Sequence, residues 1–192
     1  MKQNDLRNAA LVALLLNLGF FFVEFGVARA IGSVALFADS VDFLEDCGVN
    51  LLLVLALRWG MAARARAGMV MAGLILLPSL ATLAQAVAKF WHPSVPNPAW
   101  LSLTGLAAMA VNATAALVLA RHRHSGGSIA RAAFLSARND VLANAAIILA
   151  GAVSAYLWHS LWPDLIAGIA IGAMNLDAAG EVWAAARAER TG

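Results

Sequence analysis

The chain has 192 residues, 62% of them hydrophobic and only 12% charged, with a formal net charge of +2 and a positive mean hydropathy. A soluble domain of this size must cover its surface with charge, so the composition excludes a water-soluble globule and points to a membrane protein. The basic residues fall in short clusters between apolar segments, which argues against a nucleic-acid surface, and the one cysteine, Cys47, excludes an internal disulfide.

A helix needs roughly 20 apolar residues to cross a hydrocarbon core of about 30 Å. Six stretches qualify, at about residues 8–27, 34–57, 69–91, 100–120, 132–158 and 165–185. Backbone groups in lipid must satisfy one another within the segment, so the expected fold class is all-α: a polytopic six-helix bundle forming a single transmembrane domain over 1–192. Glycines at 19, 26, 68, 73, 105, 151, 168 and 172 mark places for close helix approach.

The first stretch follows KQNDLR and ends near Ala28-Arg29-Ala30, a signal-peptide-like arrangement. Its apolar part is long for a signal and carries Asn17 and Glu24, so it reads as a span. Those two, seven apart on one face, either line a cavity or bridge helices.

The second stretch contains ADSVDFLED, with Asp39, Asp42, Glu45 and Asp46 just ahead of the apolar LLLVLAL. On the insertion scale an Asp at mid-membrane costs around 2.5–3.5 kcal/mol, so these acids must face protein or water. At 100° per residue Asp39, Asp42, Asp46 and Asn50 lie within a stripe about 80° wide, with Glu45 roughly 60° beyond its edge. The i, i+4 pair Asp42 and Asp46 is the spacing by which a helix offers two ligands to one metal ion. Cys47 points about 100° from Asp46 and reads as a packing residue.

Past the basic segment WGMAARARAG, the third stretch ends at His92 beside Trp91, and His159 sits likewise beside Trp158 after the fifth; both histidines read as interfacial anchors. His122 and His124 in RHRHS read as part of a basic loop, with metal capture as the alternative. In the fifth stretch, FLSARNDVLANAA spaces Ser136, Asp140 and Asn144 at four and gives a second polar face. At 1.5 Å per residue, Asp42 and Asp46 lie roughly 14–20 Å from one membrane face, and Ser136 and Asp140 roughly 16–22 Å from the same face. The two polar faces therefore meet near the midplane. Arg138, the one base at that depth, points about 160° away from Ser136 and Asp140. For Glu24, Glu45 and Asp177 a structural pairing stands beside a functional role. After the sixth stretch only RAERTG or so remains, so no soluble C-terminal domain is expected.

Three clustered carboxylates either share protons or bind a cation. Mutual repulsion and desolvation both favour protonation, so a departing divalent ion is replaced by protons, which is the chemistry of a metal/proton exchanger. Ten Lys and Arg residues (Lys2, Arg7, Arg58, Arg64, Arg66, Arg121, Arg123, Arg131, Arg187, Arg190) fall on one side of a six-span layout, and only Arg29 and Lys89 on the other. The positive-inside rule then places both termini in the cytoplasm.

GSVALFADSVDFLED resembles the second-helix signature of the cation diffusion facilitators: a small residue, Ser, any residue, Ala and Leu, then Ala-Asp-Ser, a His or Asp, and an Asp four residues later. NLGFFFVEFGVARAIGS is similar to their first helix and PDLIAGIAIGAMNLDAAGEVW to their sixth. The resemblance implies export of Zn²⁺ or a similar divalent ion from the cytoplasm in exchange for protons, by a homodimer whose protomers rock between two openings. Carried over, it makes Asp42 and Asp46 the second-helix ligands and Asp140 a fifth-helix ligand, with Glu24 and Asp39 near the pathway. It implies no enzymatic activity and no prosthetic group; the expected partners are the lipid bilayer, the metal ion and a second copy, not nucleic acid, in a bacterial inner membrane.

Two departures stand out. Where the family offers His or Asp four residues before the fifth-helix Asp, this chain has Ser136, so three carboxylates are completed by Ser136 (weak), Asn139, Asn144 (weak) or water. Losing the imidazole shifts the donor set toward hard oxygen and makes Mn²⁺, Fe²⁺, Co²⁺ or Cd²⁺ credible beside zinc. The second departure is the absent metal-binding tail, which leaves dimerisation to the membrane helices. Two rivals compete: a non-transporting metal sensor or assembly partner of a larger transporter, and an intramembrane aspartyl protease, which this chain argues against by lacking a Gly-x-Gly-Asp context.

Overall fold

The computed structural model describes residues 2–56, 69, 70, 76, 80–120 and 127–191, and among them every regular element is a helix. In chain order these are α1 (Lys2–Ile31), α2 (Val34–Ala56), α3 (80–91), α4 (Pro98–Ala120), α5 (Gly127–Tyr156) and α6 (Trp162–Thr191). Outside the described residues lie the basic segments with Arg58, Arg64, Arg66, Arg121, His122, Arg123 and His124, and the side chains of Ser136, Arg138 and Asn139.

Helix ends follow local chemistry. Past Ile31, Gly32 takes a left-handed φ of 67°, a conformation that a side chain disfavours. The Ser33 amide then donates back to the Ala28 carbonyl (3.0 Å), closing α1 with a six-residue reverse bond. Ser33 Oγ next accepts the Leu36 amide (3.0 Å) as the N-cap of α2. Asn97 does the same for α4, its Oδ1 taking the amides of Ala99 (3.0 Å) and Trp100 (3.2 Å) with Pro98 at the first helical position. We call the end that carries the α1–α2, α3–α4 and α5–α6 connections the short-loop end.

The centre of the bundle is α2. Residues 33–41 are buried without a break, and the helix packs against α1, α4, α5 and α6. Its own Leu36 and Val41 join Leu101, Ile147 and Ile171 of the neighbouring helices in one core cluster. Glycine allows the closest approaches: a Cβ on Gly168 of α6 would stand 2.7 Å from the Val34 carbonyl carbon and 2.8 Å from the Ala35 nitrogen, so α6 lies directly on the α2 backbone. Gly105, Gly151 and Gly172 also face neighbours, but Gly19 and Gly26 have nothing within 4 Å. The expectation of close packing fails at those two because α1 turns them outward, both being exposed; Gly68 and Gly73 lie outside the described residues.

Among the described residues two helices are long and apolar enough to cross a membrane by themselves, Asn4–Ile31 and Pro98–Ala120. α2 has the length, but its own acids exclude it from such a count. Those acids are tolerated because neighbouring helices surround them.

Candidate metal centre

From Val34 to Cys47, α2 contains neither Gly nor Pro and runs as an uninterrupted rod. Its polar stripe therefore keeps helical register: Asp39 is fully buried, Asp46 is 3% exposed and Asn50 2%, while Asp42 and Glu45 are half-buried. Asp140 arrives from α5, itself half-buried. Its carboxyl interacts electrostatically with Asp46, Asp39 and Glu45, and it acts in the same way on Asp42. Three acids from two helices thus act on one another inside the bundle. Carboxyl groups this close stay together only with a proton or a cation between them.

The three form a neighbourhood and not a closed coordination shell: among the described residues no three His, Cys, Asp or Glu side chains stand so as to hold one ion. Chelation requires the carboxyls to draw in around it. Glu45 also acts on both Asp140 and Asp42, so it borders this neighbourhood although the helical wheel sets it outside the stripe. Asp177 is exposed and takes no part.

Asparagines frame the acids. Asn17 Nδ2 of α1 donates to Asp46 Oδ2 (3.0 Å), and Asn50 Nδ2 donates back to the Asp46 carbonyl (2.9 Å). Asn144 Nδ2 donates to Asp39 Oδ2 (2.5 Å) and Asn144 Oδ1 accepts from Asn112 Nδ2 (3.0 Å). An α2–α5–α4 chain of side chains results, with Asn144 in the middle. Of the two readings for Asn17, the bridge between helices is the one observed. Glu24 is fully buried, and among the described residues no group donates to either of its carboxylate oxygens or to Asp39 Oδ1; the carboxyl of Asp39 interacts with Glu24. Cys47 is buried, its Sγ donating to the Leu14 carbonyl at 3.6 Å, consistent with a packing residue.

Three polar residues gain their role only in the fold. Asn112 is the one amide side chain of α4, and its place opposite Asn144 gives it meaning. Asp164 looked like part of a short connection, and Lys89 like an orientation marker. They form a buried ion pair (2.9 Å, 1% and 4% exposed) at the short-loop end. The signal for it was available: a Pro-Asp step opening an apolar helix, and a lysine inside another.

Residues 10–187 match the cation efflux transmembrane domain, covering most of the chain. No curated protein matches it.

Proposed function

The chain belongs to the cation efflux family, and from that premise we propose that it exports a divalent metal ion in exchange for protons, with Asp42, Asp46 and Asp140 as the ligands. Family membership carries the coarse statement: an integral membrane protein that moves metal cations outward. The observation that supports the finer one is the approach of Asp140 on α5 to Asp46 and Asp42 on α2. A carboxylate trio suits a divalent cation in charge and in donor type.

In this reading the trio binds the ion from the cytoplasm in its deprotonated form, the bundle rearranges, and protons displace the ion on the far side. Each charge returning down a potential of 100 mV supplies about 2.3 kcal/mol. Asn17 holds Asp46 in place, and Asn144 orients Asp39 at the edge of the trio. Zn²⁺ is the first choice, and Co²⁺, Cd²⁺, Fe²⁺ and Mn²⁺ follow from the hydroxyl at Ser136 in place of an imidazole. Both termini face the cytoplasm of a bacterial inner membrane, and a second copy pairs through the helices.

Purified protein in liposomes, loaded with single divalent ions and a pH-sensitive dye, tests this. Wild type is expected to show metal-dependent proton flux, with metal affinity falling as pH falls because protons compete for the ligands. Replacing even an outer-shell group costs 10–100-fold, so Asp46→Asn should cut flux by roughly 100-fold or more with gel filtration unchanged. Flux at the wild-type rate in that variant would remove Asp46 from the site. Metal binding without flux supports the sensor or assembly partner, and neither binding nor flux sinks both.

A further inference from the structure

At the short-loop end one carboxylate gathers polar partners from the start of α2 and from α3. Asp164, near the start of α6, accepts four hydrogen bonds: Ser33 Oγ (2.5 Å) and the Ala35 amide (3.2 Å) on Oδ1, the Val34 amide (3.0 Å) and Lys89 Nζ (2.9 Å) on Oδ2. Lys89, from α3, also donates to the Gly32 carbonyl at 2.5 Å. A carboxylate from one helix thus caps the first turn of another, where free amides and the helix dipole both favour negative charge. A lysine from a third helix balances it.

The packing around this corner is equally close. Val34, Ala86 and Leu165 form a small apolar cluster joining α2, α3 and α6. Gly168 seats α6 on the α2 backbone, and Gly172, one turn on, meets Thr82 of α3 at 3.1 Å from where a Cβ would stand. Farther along, Asn175 Nδ2 reaches the Ala38 carbonyl at 3.3 Å. By contrast α1 and α5 reach the acids of α2 through side-chain amides, Asn17 on Asp46 and Asn144 on Asp39.

We propose that Asp164, with Lys89 as its counter-charge, is a positioning residue for translocation: it fixes the axial register of α2 against α3 and α6, and so sets where Asp42 and Asp46 stand opposite Asp140. The rod between cap and ligands is continuous, so a slip at Val34 appears undiminished at Asp42 and Asp46, about 12 and 18 Å along the axis. The corner does not act as a salt bridge alone. It needs an acceptor at 164 for the helix amides and a cation at 89 only because that acceptor is charged and buried.

The inference rests on the exchanger reading for its functional consequence, but its structural half is testable without transport. In a Cys47→Ser background, spin labels at Leu51→Cys on α2 and Met174→Cys on α6 occupy exposed positions, and the distance between them reports the register. Asp164→Asn is expected to displace or broaden that distance by at least about 1.5 Å, one residue's rise, and to weaken metal binding roughly tenfold or more although it touches no ligand. The neutral pair Lys89→Met/Asp164→Asn, which keeps an acceptor oxygen and strands no charge, should restore both. The reversed pair Lys89→Asp/Asp164→Lys should restore neither, because lysine has no acceptor for the amides of Val34 and Ala35.

An unchanged label distance in Asp164→Asn, or rescue by the reversed pair, overturns the proposal. Should the single variant fail to fold, the neutral and reversed pairs still give opposite expectations. Wild-type liposomes without metal-dependent proton flux would remove the exchanger reading while leaving the label distances to decide this one.

Discussion

Two buried clusters of charge lie against the same helix, α2, and are built in opposite ways. At the short-loop end, Asp164 has four donors and a lysine, and Lys89 has two acceptors. One to three turns further along, Glu24 and Asp39 interact, with three carboxylate oxygens that receive no donor among the described residues, and Asp140 acts on Asp46 and Asp42. A carboxylate surrounded by donors is held in one state, whereas carboxylates gathered together are stable only through protons or cations that come and go. The first arrangement suits an anchor and the second a transport site.

The sharpest way to break that comparison is to strand a charge in the anchored cluster. Lys89→Met leaves Asp164 buried without its cation, and losing one partner of such a pair costs about 3–5 kcal/mol. Chemical denaturation in detergent would show it as a large fall in midpoint; a shift of less than about 1 kcal/mol, the usual worth of an exposed pair, would mean that water reaches Asp164. Next in size is Gly168→Ala. The new methyl meets backbone at 2.7 and 2.8 Å, which cannot rotate aside, and overpacking of this kind costs about 1–3 kcal/mol. The same denaturation series should rank it below Lys89→Met.

The cluster of acids on α2 and α5 was far more legible in the sequence than the Asp164–Lys89 pair. Acids inside apolar helices are costly enough to be conspicuous, and helical spacing alone puts Asp42 and Asp46 on one face and Asp140 with Asn144 on another. α2 begins at Val34 because a glycine turn precedes it. α1 was harder: its polar first turns, with Asp5 and Arg7, continue the helix to Lys2, beyond what apolarity can show. The anchor was hidden for another reason. Lys89 and Asp164 are 75 residues apart, each looks like an ordinary edge residue alone, and only the fold pairs them. Asn112 was hidden in the same way behind Asn144.

Asn144→Ala probes the border between the two kinds of cluster. It removes the donor to Asp39 and the acceptor for Asn112. Hydrogen bonds between membrane helices average about 0.6 kcal/mol and reach about 1.7 at most, so the fall in stability should stay within roughly that range. A larger loss would show that Asp39 depends on its amide partner as Asp164 depends on its donors, and would move Asp39 to the anchored class.

The smallest effect is expected at Glu24, and it separates the clusters most finely. Gln is nearly isosteric and brings an amide donor to a place where Asp39 Oδ1 has none. The amide takes over the contact that a shared proton makes between the Glu24 and Asp39 carboxyls, so Glu24→Gln should leave the denaturation midpoint within about 0.5 kcal/mol of wild type or raise it. The contrast lies with Asp164→Asn, where the substituted group already has its donors and loses its charge pairing. If Glu24→Gln instead destabilises by more than about 1 kcal/mol, the Glu24 carboxylate is bound to a group that holds it as firmly as Lys89 holds Asp164. Glu24 and Asp39 would then belong to the scaffold, and the transport cluster would shrink to Asp42, Asp46 and Asp140.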